Sequence, residues 1–126
     1  MLKRKVYQEL LKWKENTEGK ALCIIGARQI GKTTLIREFG KNEYEHFAEI
    51  NFVTGEKAAD IFNDRLTAEV IITNLTAYLQ TPLEPGKTLI LFDEVQECPA
   101  VRSAIKFLVE DGRFDYIESG SLLGVR

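Results

Sequence analysis

The chain has 126 residues, 44% of them hydrophobic and 29% charged, with a formal net charge of −2, which predicts one domain or less. No apolar run approaches the ~20 residues needed to span a bilayer, and Lys3-Arg4-Lys5 leads into a mixed polar segment rather than a signal-peptide core, so a cytoplasmic protein away from membranes is expected. Cys23 and Cys98 lack the close spacing of a metal-ligand pair and read as structural, reduced thiols.

Taken in chain order, a helix is predicted over about residues 4–15. Lys3, Arg4, Lys5, Lys12 and Lys14, set around Leu10, Leu11 and Trp13, fit a helix that packs apolar residues on a sheet and keeps its lysines in water. In a slightly acidic chain that cluster does not support nucleic acid as a partner. Ala21-Leu22-Cys23-Ile24-Ile25 is a short, partly β-branched run, predicted as a parallel strand buried on both faces. Residues 26–34 follow as Gly26-Ala27-Arg28-Gln29-Ile30-Gly31-Lys32-Thr33-Thr34, which satisfies the phosphate-loop pattern G-x-x-x-x-G-K-[ST]. Four fixed positions would coincide in roughly 0.4% of chains of this length, so a nucleoside triphosphate is the first ligand to consider. Leu35, Ile36 and Phe39 then recur at helical spacing, and Gly40 is predicted to stop the helix.

The chemistry dictates these residue types. Gly26 and Gly31 permit backbone conformations and approaches that a β-carbon would block, so the N–H groups of 26–34 can point at phosphate oxygens. The helix that begins with Thr33 and Thr34 adds its unsatisfied N–H groups and the positive end of its dipole. Lys32 is expected to reach the β- and γ-phosphates. The Thr33 hydroxyl is expected to ligate Mg²⁺, a hard cation that prefers oxygen. Arg28 reads as a solvated loop arginine rather than a catalytic group.

A second strand is predicted near 45–52, where His46 alternates with Ala48, Ile50 and Phe52 and takes a strand-end packing role. Leu66, Val70, Ile71, Asn74, Leu75 and Tyr78 recur at helical spacing, and residues 81–86, with Pro82, Pro85 and Gly86, form the clearest loop. Thr88-Leu89-Ile90-Leu91-Phe92-Asp93-Glu94 is an apolar strand that ends in two carboxylates. At the carboxyl end of a parallel strand, Asp93 can hold the metal through water, and Glu94 can accept a proton from the attacking water as general base. A solvated strand end is the bland alternative. Pro99 opens another helix with Val101, Ile105 and Leu108 as its apolar stripe, Asp111-Gly112-Arg113 ends it, and Phe114–Ser119 is the last predicted strand. Within that strand Glu118 needs a partner or an opening toward the site. Strands alternating with helices predict an α/β fold with a mostly parallel sheet and right-handed crossovers.

Three motifs in this order, residues 26–34, Leu91-Phe92-Asp93-Glu94-Val95-Gln96-Glu97-Cys98-Pro99 and Ser119-Gly120-Ser121-Leu122-Leu123-Gly124, resemble the prokaryotic AAA-superfamily P-loop ATPases whose chains continue into a carboxyl-terminal domain of unknown function. The resemblance covers nearly the whole chain. It implies a three-layer α/β core that binds ATP and Mg²⁺, with the strand before the phosphate loop central, Asp93 and Glu94 as Walker B carboxylates, and a polar sensor on the neighbouring strand. Ser119 best matches that catalytic sensor; Ser121 and a plain turn before the next helix are the alternatives. A complete module of this kind adds a further strand, an arginine-bearing segment and a helical lid, so residues 1–126 are expected to be its N-terminal part, truncated after the fourth strand. That would leave 21–25 as a sheet edge able to self-associate or to pair with the remainder of the module. It would also slow hydrolysis, since such an arginine contributes a factor of roughly 10³–10⁵. The function expected is ATP hydrolysis to ADP and phosphate. The competing readings are a nucleotide-dependent interaction module without significant turnover and, behind it, a P-loop kinase. A switch GTPase is disfavoured by the lack of Asn-Lys-x-Asp and Asp-x-x-Gly motifs.

Overall fold

The computed structural model describes residues 2–16, 21–26 and 31–121. In chain order its elements are helix α1 (Leu2–Glu15), strand β1 (Leu22–Gly26), helix α2 (Lys32–Glu43), strand β2 (His46–Asn51), a 3-10 turn (Ala58–Phe62), helix α3 (Ala68–Leu79), strand β3 (Thr88–Asp93), a second 3-10 turn (Val95–Glu97), helix α4 (Ala100–Asp111) and strand β4 (Asp115–Ser121). The strands pair in the order β1-β4-β3-β2, and every pairing is parallel.

Strand β3 shows why the sheet is covered on both sides. All six of its residues are buried. Leu89 and Leu91 pack with Leu10 of α1 and with Leu35, Ile36 and Phe39 of α2. Ile90 and Phe92 face the opposite layer, with Ile71, Ile72 and Leu75 of α3 and Val101, Ala104 and Leu108 of α4. A strand with helices on both faces has no polar side to show, which is why its sequence reads as a continuous apolar run. Phe92 also sits among rings, with centroids 5.6 Å from Phe62, 5.9 Å from Tyr116 and 6.1 Å from Phe52.

Four local expectations change. Helix α2 does not stop at Gly40 but runs on to Glu43, and Tyr44 N–H caps it by donating to the Gly40 carbonyl at 3.2 Å. Gly40 is instead a contact point, because a β-carbon there would lie 2.2 Å from Cδ1 of Phe47 on β2. Strand β1 is not buried on both faces: Leu22 and Ile24 are half-buried and Cys23 is exposed, whereas Cys98 is buried. Among the described residues β1 pairs only with β4 and lies at the edge of the sheet, the position expected for 21–25 in this chain. His46 does lie at the start of β2, but its ring is exposed and its Nε2 meets Glu84 Oε1 at 2.5 Å instead of joining Ala48, Ile50 and Phe52 in the apolar layer. Lys87, 3.6 Å from Glu45 and 3.9 Å from Glu84, completes that surface charge cluster. Finally, β4 extends past Ser119 to Ser121.

Replacing Gly40 sets two effects against each other. Alanine gains about 1 kcal/mol of helix propensity, but overpacking against the Phe47 ring costs about 1–3 kcal/mol. Gly40→Ala is therefore expected to lower the unfolding free energy, read as a lower denaturant midpoint with an unchanged slope.

Candidate functional site

The carboxyl ends of all four strands meet at one edge of the sheet. In register, Gly26 lies beside Ser121, Ser119 beside Asp93, and Asp93 beside Asn51. Helix α2 starts at the same edge. Gly31, just before it, has φ 98° and ψ −13°, a left-handed conformation that glycine adopts without strain. The conformation itself favours glycine here, and among the described residues nothing lies within 4 Å of an added β-carbon. Ala27, Arg28, Gln29 and Ile30, predicted to line the phosphate loop, lie outside the described residues, and Gly26 ends β1.

The first turn of α2 carries Lys32 and Thr33 into a cleft of about 290 Å³, lined also by Val53, Asp93, Glu94, Gly120 and Ser121. Thr34 is exposed on the same turn. Lys32 Nζ donates to the Gly120 carbonyl of β4 at 2.6 Å. Thr33 Oγ1 and Asn51 Nδ2 each lie 3.5 Å from Asp93 Oδ2, at the outer limit of a hydrogen bond. Asp93 is 5% exposed. Burial is the main cause that pushes its pKa above the ordinary value; the Glu94 N–H, donated to Oδ1 at 2.9 Å, and the Lys32 charge oppose it, while the charges of Glu94 and Glu49 add to it. Proximity of Thr33 and Asp93 creates a set of hard oxygen donors, the type that Mg²⁺ selects.

Glu94 has φ 59° and ψ 45°, a left-handed backbone that costs a non-glycine residue about 1–2 kcal/mol. It turns the chain sharply off β3 into the 3-10 turn, where Glu97 N–H donates to the Glu94 carbonyl at 3.1 Å. Gln96 Nε2 then donates to Glu94 Oε1 at 2.7 Å.

The structure thus brings Lys32, Thr33, Asp93 and Glu94 around one cleft. Ser119 is fully buried beside Asp93, outside the cleft lining, and its Oγ has no hydrogen-bond partner among the described residues. Ser121 lines the cleft as the last residue of β4, not as part of a turn. Sequence reasoning missed Asn51, Gln96 and the Gly120 carbonyl. Asn51 was the findable one: a polar residue closing an alternating strand falls where open α/β sheets bind ligands.

A parallel sheet between two helical layers, with a glycine-led helix opening on strand-end carboxylates, defines a P-loop nucleotide-binding core. The chain belongs to the AAA domain family, whose sequence profile matches residues 18–125, and is an AAA-type ATP-binding domain. No curated protein matches it. Among solved structures it is similar to the ORC2 protein of Aeropyrum pernix, described as ADPNP-ADP complexes, with a TM-score of 0.51, 14% identity and 97% of this chain covered. At that identity the likeness is one of fold. The chain spans 41% of the length of that protein.

Glu118, expected to need a partner or an opening, is 4% exposed and has neither at Oε1 among the described residues. Strand alternation sets it with Tyr116 on the α3/α4 side of the sheet, away from Ser119 and Ser121. Burial raises its pKa, and the Arg102 charge on α4 opposes the shift. A carboxyl whose folded pKa is raised binds more proton folded than unfolded, so stability falls as pH rises through and above the ordinary carboxylate value. Glu118→Gln removes that penalty. It is expected to raise the unfolding midpoint at pH 7, with the gain shrinking toward zero as pH is lowered below the ordinary glutamate pKa.

Proposed function

We propose that the chain hydrolyses ATP to ADP and phosphate in a Mg²⁺-dependent reaction. The observation that carries this reading is the convergence of Lys32, Thr33, Asp93 and Glu94 on one cleft at the carboxyl edge of a parallel sheet. The Lys32 ammonium exchanges the Gly120 carbonyl for oxygens of the β- and γ-phosphates. The Thr33 hydroxyl and the Asp93 carboxylate are the groups that would hold Mg²⁺. When bound, Mg²⁺ neutralises charge on the β- and γ-phosphate oxygens. Glu94 orients a water and takes its proton while the bond from water oxygen to γ-phosphorus forms and the bond to the β–γ bridging oxygen breaks, releasing ADP. Ser121, at the cleft wall, and Ser119, buried beside Asp93, are the two candidates for a γ-phosphate sensor.

Adenine rather than guanine nucleotide is favoured by the family and by the ADPNP-ADP description of the Aeropyrum protein. A pair of adjacent carboxylates favours water activation over transfer to a bound acceptor, which argues against a kinase. We read the chain as the nucleotide-binding part of a larger AAA-type module, in the cytoplasm, with the β1 edge available to the remainder of that module or to a second copy.

Titration calorimetry with ATP and a slowly hydrolysed analogue, with and without Mg²⁺, tests binding, and phosphate release tests turnover. Lys32→Ala is expected to abolish saturable binding. Glu94→Gln is expected to keep binding while lowering kcat by about 10²- to 10⁴-fold, the usual contribution of a general base. Saturable, Lys32-dependent binding with no hydrolysis by wild type would leave the chain a nucleotide-dependent interaction module instead.

A further inference from the structure

The segment after β3 does more than leave the sheet. Because Glu94 is left-handed and Val95–Glu97 is a 3-10 turn, the chain doubles back and returns the Gln96 side chain to the carboxylate two residues earlier. A carboxamide has a donor end and an acceptor end, and both are used here. Nε2 donates to Glu94 Oε1 at 2.7 Å, and Oε1 accepts the Ser121 N–H of β4 at 3.2 Å. A carboxylate only accepts and a backbone N–H only donates, so one orientation of the amide satisfies both partners and the flipped one satisfies neither.

We propose that Gln96 is a positioning residue for hydrolysis: it clamps Glu94 to the end of β4 and so fixes where the attacking water is held. This rests on the reading of Glu94 as the proton acceptor. A general base must lie within hydrogen-bond reach of the proton it takes, and an unrestrained glutamate has three side-chain torsions through which to miss it. Engaging Oε1 with Gln96 leaves Oε2 to take the water proton. The anchor is well chosen. Ser121 is the neighbour of Gly120, whose carbonyl holds Lys32, so the phosphate-binding cation and the base are both referenced to two consecutive residues of one buried strand.

The test uses the full chain carrying Gln96→Ala or Gln96→Met, the latter matching the length of glutamine without its hydrogen bonds, each alone and combined with Glu94→Gln. Single-turnover hydrolysis of ATP with Mg²⁺ reads slow residual rates, and calorimetry with the slowly hydrolysed analogue reads binding. Both single variants are expected to lower the hydrolysis rate about 10- to 100-fold, the scale of a misplacement near 1 Å, with analogue affinity changed less than about twofold. In the Glu94→Gln background the further loss is expected to be under about twofold, because residues acting as a unit are non-additive. An unchanged or faster rate in Gln96→Met, or a full additional loss in the Glu94→Gln background, overturns the role of Gln96 and leaves the ATPase reading intact. Absence of hydrolysis by wild type overturns both.

Discussion

The site depends on a single constraint: a strand with no polar face must end in a carboxylate that is still desolvated. Leu89 through Phe92 are fully buried, and Asp93, the next residue, is only 5% exposed. A charge in that position needs donors or a cation, and the surroundings are arranged around supplying them. The Glu94 N–H, the Thr33 hydroxyl, the Asn51 amide and the Lys32 ammonium all lie at ends of strands and of α2 that reach the same corner. Two of those contacts are 3.5 Å long, so the carboxylate is only loosely satisfied.

The same corner stores strain. Glu94, like Lys57 and Gln80, has a positive φ without being glycine. Lys57 precedes a 3-10 turn and Gln80 caps α3, so their left-handed backbones do the ordinary work of turns. At Glu94 the same turn ends in a side chain that lines the cleft. Strain at such a residue persists only when its surroundings over-determine it. The Asp93 side chain holds the Glu94 N–H, the 3-10 turn holds its carbonyl, and Gln96 holds its carboxylate.

Much of this was legible in the sequence, for identifiable reasons. The apolar run into Asp93-Glu94 and the Pro99 helix start are local signals, and strand β3 and helix α4 formed where those signals lay. What was misread was non-local. Gly40 carries a stop signal, but Phe47, seven residues away on another element, decides that the position must lack a side chain. The exposure of Cys23 follows from strand order, which no single strand encodes. Ser119 and Ser121 share a face by the two-residue period of a strand, so periodicity could not say which of them reaches the cleft; only the length of β4 does. Gln96 stayed hidden because its contacts depend on a 3-10 turn that begins from a strained residue.

The contact between Lys32 and Gly120 bears on how the site would respond to a phosphate. With Lys32 Nζ 2.6 Å from a backbone carbonyl, the ammonium is not an idle charge waiting in solvent. A phosphate oxygen that takes its place exchanges a neutral acceptor for an anionic one, and a charge-assisted bond is roughly twice as strong as a neutral one. Any gain from Lys32 on meeting a phosphate would therefore be the difference between two hydrogen bonds rather than the whole of one. The exchange also frees the carbonyl at position 120, one residue from the N–H that Gln96 accepts. The contacts of Lys32 and of Gln96 thus meet on the same short stretch of β4. A shift in that stretch would be felt by both, whereas neither could move far alone while the rest of β4 is locked between β1 and β3.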